Sequence, residues 1–265
     1  MPIAVPDWIF NPIMFEIGPF AARWYGFMYA LSFVLGYLFL HYSQPGKDLK
    51  LKSKELDSFV VWIIIGVLLG GRIGYILFYN LAFYFENPAK ILAVWEGGMS
   101  FHGGLLGVVI ALVLFSRKKK RNLWQLSDAI TSFVPLGVMF VRIANFINAE
   151  LYGRIATENC IYFPTDPANC RYPSQIYQAL LEGLILFIIL QIVLHKKPKT
   201  GTVSALFLLL YGIFRIFLEQ FRQPDPQIGF LWAGITQGQL LSIFMVIGGV
   251  ILFLIRPKLQ KDLTK

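Results

Sequence analysis

Long apolar stretches, separated by short polar connections, dominate the chain. Seven of them, at 24–42, 58–80, 99–115, 126–148, 174–194, 202–220 and 239–255, are long enough to cross a bilayer, whose hydrocarbon core of about 30 Å takes roughly 20 helical residues. The opening Met1–Arg23 segment is broken by prolines and has no basic start. It therefore reads as an interfacial segment rather than a signal peptide. The pattern predicts an all-α polytopic membrane protein of seven transmembrane helices with a small loop region on the outer face. With no repeat, low-complexity tract or appended polar domain, residues 1–265 read as a single integral-membrane domain.

Composition agrees: 56% of the 265 residues are hydrophobic and only 15% are charged, too few to cover a soluble fold of this size. The net charge of +9 in a soluble protein would point to nucleic acid. Here its distribution gives another cause. Lys47, Lys50, Lys52, Lys54, Arg117, Lys118, Lys119, Lys120, Arg121, Lys196, Lys197, Lys199, Arg256, Lys258, Lys261 and Lys265 fall on one side of the spans. Only Arg23, Lys90, Arg154, Arg171 and Arg222 fall on the other. The basic-rich side is cytoplasmic by the positive-inside rule, so the N-terminus is outside and the C-terminus inside. No nucleic-acid partner is needed to explain the charge. The cysteines, Cys160 and Cys170, share the long outer loop, which is oxidising in a bacterial inner-membrane protein. A disulfide and two free thiols both fit their spacing.

Three basic residues remain inside spans: Arg72, Arg142 and Arg215. Each stands about 13 to 16 residues from the cytoplasmic end, or roughly 20–24 Å at 1.5 Å per residue, in the outer half of the bilayer. An isolated arginine there can snorkel to the interface. Three at one level also suit an anionic site, since guanidinium forks pair with phosphate. Glu182 is the obvious counter-charge for one of them, without the sequence saying which. His102 and Tyr25, at the starts of two spans, fall at the same level. Gly103, Gly104 and Gly107 strip the face beside His102 to backbone, which admits a neighbouring helix or a lipid headgroup.

Two polar stripes follow. Arg142, Asn145 and Asn148 recur every three residues and so share a helix face, which Pro135 is placed to turn inward through a kink. Glu150 and Gly153 extend this stripe into the outer loop. Tyr211, Arg215 and Glu219 stand at i, i+4 and i+8, where Arg215 and Glu219 can form an intrahelical ion pair. Pro224 marks an outer turn after Phe221-Arg222-Gln223.

The motifs Trp24-Tyr25-Gly26, Gly70-Gly71-Arg72-Ile73-Gly74-Tyr75, GGMSFHGGLLG at 97–107, RIANFINAELYGR at 142–154, YGIFR at 211–215 and FRQPD at 221–225 resemble those of the bacterial prolipoprotein diacylglyceryl transferases. The resemblance runs from the first span to the seventh. One departure is Val141, where the family signature has glycine. The resemblance implies transfer of the diacylglyceryl group of phosphatidylglycerol to the lipobox cysteine of a prolipoprotein. Glycerol 1-phosphate would be released, and no metal or organic cofactor is implied. It further implies catalytic roles for His102, Tyr25 and Arg215. Phosphatidylglycerol would be bound by Arg142, Arg215, Asn145, Asn148, Glu150, Gly153, Tyr211, Gly103 and Gly104. The expected partners are phosphatidylglycerol, the signal-peptide region of prolipoproteins and membrane lipids.

The chemistry of these residue types agrees. A thiol of pKa about 8.5 must lose a proton before attacking carbon, and an imidazole suits that task near neutrality. Arginines stabilise the charge that grows on a departing phosphate. A transporter for an organic anion is the rival reading. It requires polar residues through the full depth, whereas the inner halves of the spans are apolar apart from Asp128.

Overall fold

The computed structural model describes residues 2–18, 20–93, 97–224, 229–231 and 234–261, with backbone alone at 79, 101, 102 and 257–261. Its main helices are α1 (Trp24–Tyr42), α2 (Ser53–Tyr79), α3 (Phe101–Lys119), α4 (Leu123–Thr131), α5 (Val134–Ile147), α6 (Ser174–His195), α7 (Thr202–Leu218) and α8 (Gln237–Lys261). Among the described residues five helical stretches are long and apolar enough to cross a membrane: α1, α2, α4 with α5, α6 and α8. The apolar α7 is shorter. Many large apolar side chains point outward, among them Leu69, Leu106, Ile192 and Phe244, as expected where lipid replaces water as solvent. The chain is a multi-pass membrane protein. Two compact units can be distinguished, residues 40–127 and residues 1–39 with 128–265.

In the unit of residues 40–127, α2 and α3 pack backbone to backbone. A Cβ at Gly70 would stand 2.3 Å from the Gly103 carbonyl oxygen, and one at Gly107 would stand 2.0 Å from that of Gly66. Small residues at i, i+4 spacing permit this approach in place of a hydrophobic driving force. Of the three glycines beside His102, Gly103 and Gly107 thus meet a neighbouring helix, whereas Gly104 has ordinary room. Ser100 caps α3 by accepting the Gly103 N–H at 3.2 Å.

Arg72 belongs to this unit and is buried. Its guanidinium donates to the carbonyls of Lys90, Ile91, Ala93, Gly97 and Gly98. Five acceptors exhaust its donors. Its charge is spent on pinning the connection between α2 and α3, so the expectation that it joins an anion site with the other two arginines does not hold.

In the other unit, residues 132 and 133 interrupt the helix so that Pro135 falls in the first turn of α5, where its missing N–H leaves no gap. The freed Ser132 carbonyl accepts from the Gln191 amide at 2.8 Å. Asp128 is fully used by the start of α7: its carboxylate accepts from Gly201 N–H at 2.7 Å, and from Ser204 N–H at 2.8 Å and hydroxyl at 2.7 Å. An acidic group at a helix N-terminus is favourable, so Asp128 serves as a cap. A π-helical stretch, Ala179–Ile185, widens α6, and Gly183 presses on Met139 of α5.

Two hairpins accompany the helices, β1 (Ile13–Ile17) with β2 (Phe20–Arg23) in the N-terminal segment and β3 (Ile161–Phe163) with β4 (Asp166–Arg171) in the loop between α5 and α6. Cys160 and Cys170 are disulfide-bonded, with Cα atoms 5.4 Å apart. Phe10, Ala149, Ile161 and Phe163 form a small core beneath the second hairpin.

Candidate active site

The residues 142–154 fold into a polar relay because the helix ends inside the motif. After Ile147 the backbone turns through left-handed conformations at Ala149 (φ 51°) and Leu151 (φ 56°). Such conformations strain non-glycine residues and must be held by their surroundings. The Glu150 N–H donates to the Asn145 carbonyl at 3.0 Å, and the Glu150 carbonyl accepts from the Gln175 side-chain amide at 2.7 Å. Glu150 is thereby folded back over the stripe of α5. Asn145 Nδ2 donates to Glu150 Oε1 at 2.8 Å, and Asn148 Nδ2 donates to the same oxygen at 3.3 Å. Asn145 Oδ1 in turn accepts from Arg142 at 3.3 Å.

Gly153 occupies a crossing with no space for a side chain. A Cβ there would stand 2.5 Å from the Phe221 carbonyl oxygen and 2.6 Å from Tyr172 Cβ. Its N–H donates to the Tyr172 carbonyl at 2.8 Å, and the next N–H, of Arg154, donates to Phe221.

Helix α7 supplies the second half. Arg215 lies 2.5 Å from Glu219 and 3.5 Å from Glu182 on α6, so Glu182 is the counter-charge of Arg215. Both carboxylates are fully buried. Glu219 also holds Arg222 at 3.4 Å and accepts the Thr236 hydroxyl at 3.0 Å. Thr236 and Gln239 cap α8 reciprocally, at 2.9 and 3.1 Å. Tyr211, buried one turn before Arg215, lies in electrostatic range of Arg142, Glu182 and Arg215. Tyr25 packs its ring on Tyr29, with centroids 5.1 Å apart, and lies in electrostatic range of Glu150 and Arg142.

The structure therefore brings together Tyr25, Arg142, Asn145, Asn148, Glu150, Tyr211 and Arg215, with Gly153 as their backbone support. Gly103 and Gly104 lie in the unit of residues 40–127. The His102 side chain, and Asp225 at the end of the turn motif, lie outside the described residues. Gln175, Gln178 and Thr236 also supply polar groups to this region. The first two were legible as a polar stripe with Glu182 in an apolar span, whereas Thr236 carries no local signal.

The two arginines of the site differ. Arg215 is compensated by two carboxylates, whereas Arg142 takes part in none of the ion pairs among the described residues. Its Nε has no partner. A cation so placed, in a low dielectric and without a counter-ion, is a site for an anion.

A family model described as prolipoprotein diacylglyceryl transferase matches residues 12–255. The chain belongs to that family. A relative from Azospirillum brasilense, named phosphatidylglycerol–prolipoprotein diacylglyceryl transferase, is 47% identical over 249 residues, covering 91% of this chain and 92% of its own. Relatives of the same name from Rickettsia bellii and Bradyrhizobium diazoefficiens are 45% and 44% identical. They cover 92% and 96% of this chain, and 94% and 95% of their own lengths. The whole polar relay, from Arg142 to Gly153, and the Tyr211–Glu219 stripe lie inside the residues matched by the family model.

Proposed function

We propose that this chain transfers the diacylglyceryl group of phosphatidylglycerol to a prolipoprotein, the first step of lipoprotein maturation, with the lipobox cysteine thiol as acceptor. The observation that carries the reading is Arg142, a cation without a carboxylate partner, held by Asn145 beside Tyr211 and the compensated Arg215. The thiolate forms a thioether bond to the glyceryl carbon as the bond from that carbon to the phosphate oxygen breaks. The electron pair leaves on glycerol 1-phosphate. Arg142 meets the growing phosphate charge, and preorganised cations in a dry site stabilise such charge strongly. Arg215, oriented by Glu182 and Glu219, supports the same phosphate. Asn145, Asn148 and Glu150 hold Arg142 in place, and Gly153 fixes the loop above them. Tyr25 and Tyr211 flank the lipid. His102 takes the thiol proton.

The topology that suits this reaction is seven spans with the N-terminus outside and the C-terminus in the cytoplasm, forming one catalytic domain over residues 1–265 in a bacterial inner membrane. The distribution of lysine and arginine supports it and assigns the basic excess to topology rather than to nucleic acid. The test is direct: purified protein, phosphatidylglycerol and a lipobox peptide should release glycerol 1-phosphate. No release with both substrates bound rejects the reading. A His102→Gln variant with wild-type rates would reject the imidazole as base while leaving the transfer intact.

A further inference from the structure

Among the described residues, the buried side-chain atoms without a hydrogen-bond partner are Ser43 Oγ in the unit of residues 40–127 and, in the other unit, Arg142 Nε, Asn148 Oδ1, Gln175 Oε1, Gln178 Nε2, both Glu182 carboxylate oxygens and Arg215 Nη1. Of these, Glu182 Oε1 and Arg215 Nη1 stand 3.5 Å apart as an ion pair. The arginine atoms suit a phosphate. The rest do not, being mainly acceptors. Gln175, Gln178 and Glu182 stand at i, i+3 and i+7 on α6 and are only 1%, 1% and 0% exposed. A π-helical stretch over 179–185 carries Glu182, and such stretches often mark functional sites. Burying these groups unsatisfied is unfavourable, so their partner comes from outside the protein.

Its chemistry can be deduced. Gln175 is tied through its amide nitrogen to the Glu150 carbonyl at 2.7 Å, so its oxygen offers only acceptance. Glu182 likewise offers acceptance, from an oxygen beside Arg215 at 3.5 Å and another with no partner. Gln178 offers an N–H that requires an acceptor. A group that both donates and accepts satisfies this set, and a hydroxyl does so without charge. An ammonium group donates only, leaves Gln178 unpaired, and brings a second cation beside Arg215.

We infer that the Gln175–Gln178–Glu182 face of α6 is a subsite for the free hydroxyls of the glycerol headgroup, and that it selects phosphatidylglycerol over lipids whose headgroup lacks a diol. The inference rests on the function proposed above and extends it from phosphate binding to headgroup choice. A site built to bond a hydroxyl rejects the analogue without it far more strongly than an apolar pocket rejects a missing methylene.

The test pairs two ligands with two lipids. Calorimetry should show the wild-type protein in detergent binding glycerol 1-phosphate at least about tenfold more tightly than propyl phosphate, which has the same anion and no hydroxyls. Transfer from phosphatidylglycerol should exceed transfer from phosphatidylpropanol by at least the same factor. Gln178→Met, of similar volume, should bring both preferences close to parity. Equal binding of the two phosphates by the wild-type overturns the subsite whether or not transfer occurs. A preference that survives in Gln178→Met removes it from this face of α6. Selective binding without transfer supports the subsite and overturns the proposed reaction instead.

Discussion

The side-chain amide of Asn145 donates to Glu150 at 2.8 Å while its carbonyl oxygen accepts from Arg142, so one neutral residue keeps the cation and the carboxylate of the relay apart. Asn145→Asp would place two carboxylates at hydrogen-bond distance and give Arg142 the counter-ion it lacks. Transfer should fall by about 100-fold, with KM for phosphatidylglycerol raised, because the anion site is then filled from within. Adding Glu150→Gln should recover about tenfold of the loss, since the amide again bonds the carboxylate. Steady-state kinetics on the three variants checks this; unchanged KM in Asn145→Asp would contradict it.

The two arginines should separate in their effects. Arg142→Ala should reduce transfer by at least about 100-fold with a small change in melting temperature, because it strands no carboxylate. Arg215→Ala leaves Glu182 and Glu219 buried without this cation, and breaking a buried pair costs about 3–5 kcal/mol. Thermal unfolding in detergent, read beside activity, distinguishes lost chemistry from lost structure.

Gly153→Ala should destabilise the loop of residues 149–173, because its Cβ would lie 2.5 Å from a backbone oxygen that cannot swing away. Overpacking of this kind costs about 1–3 kcal/mol. Limited proteolysis should cut the variant within residues 149–173 faster than the wild-type.

The hairpin of β3 and β4 should weaken on reduction and on acidification. Removing a natural disulfide typically costs about 2–5 kcal/mol, so reducing Cys160–Cys170 should raise proteolysis of this loop, with alkylation mass shifts confirming the cleavage of the bond. The hydrogen bond from Asn169, together with the Arg171 guanidinium, holds the Asp166 carboxyl below the usual carboxylate range. The folded hairpin thus binds fewer protons than the unfolded one. This contribution is full above the ordinary pKa of about 3.9 and is lost as pH falls through the lower folded value. Asp166→Asn should flatten the pH dependence of loop protection below about pH 4.

Much of this architecture follows from the sequence alone. Apolar runs locate the helices because hydrocarbon tolerates no unpaired backbone, and three-residue and four-residue periods report which polar groups share a helix face. Arg142 with Asn145, and Arg215 with Glu219, were legible for that reason. Only the tertiary structure decided what each intramembrane arginine does. In the sequence, Arg72, Arg142 and Arg215 read as equivalent, three arginines in apolar spans. Yet one is consumed by carbonyls 18 to 26 residues away, one is balanced by a carboxylate from another helix, and one is left for a ligand. A buried charge requires partners, but periodicity identifies only neighbours on the same helix. Which distant group faces it is set by close packing, as at Gly103 against Gly70 and Gly183 against Met139.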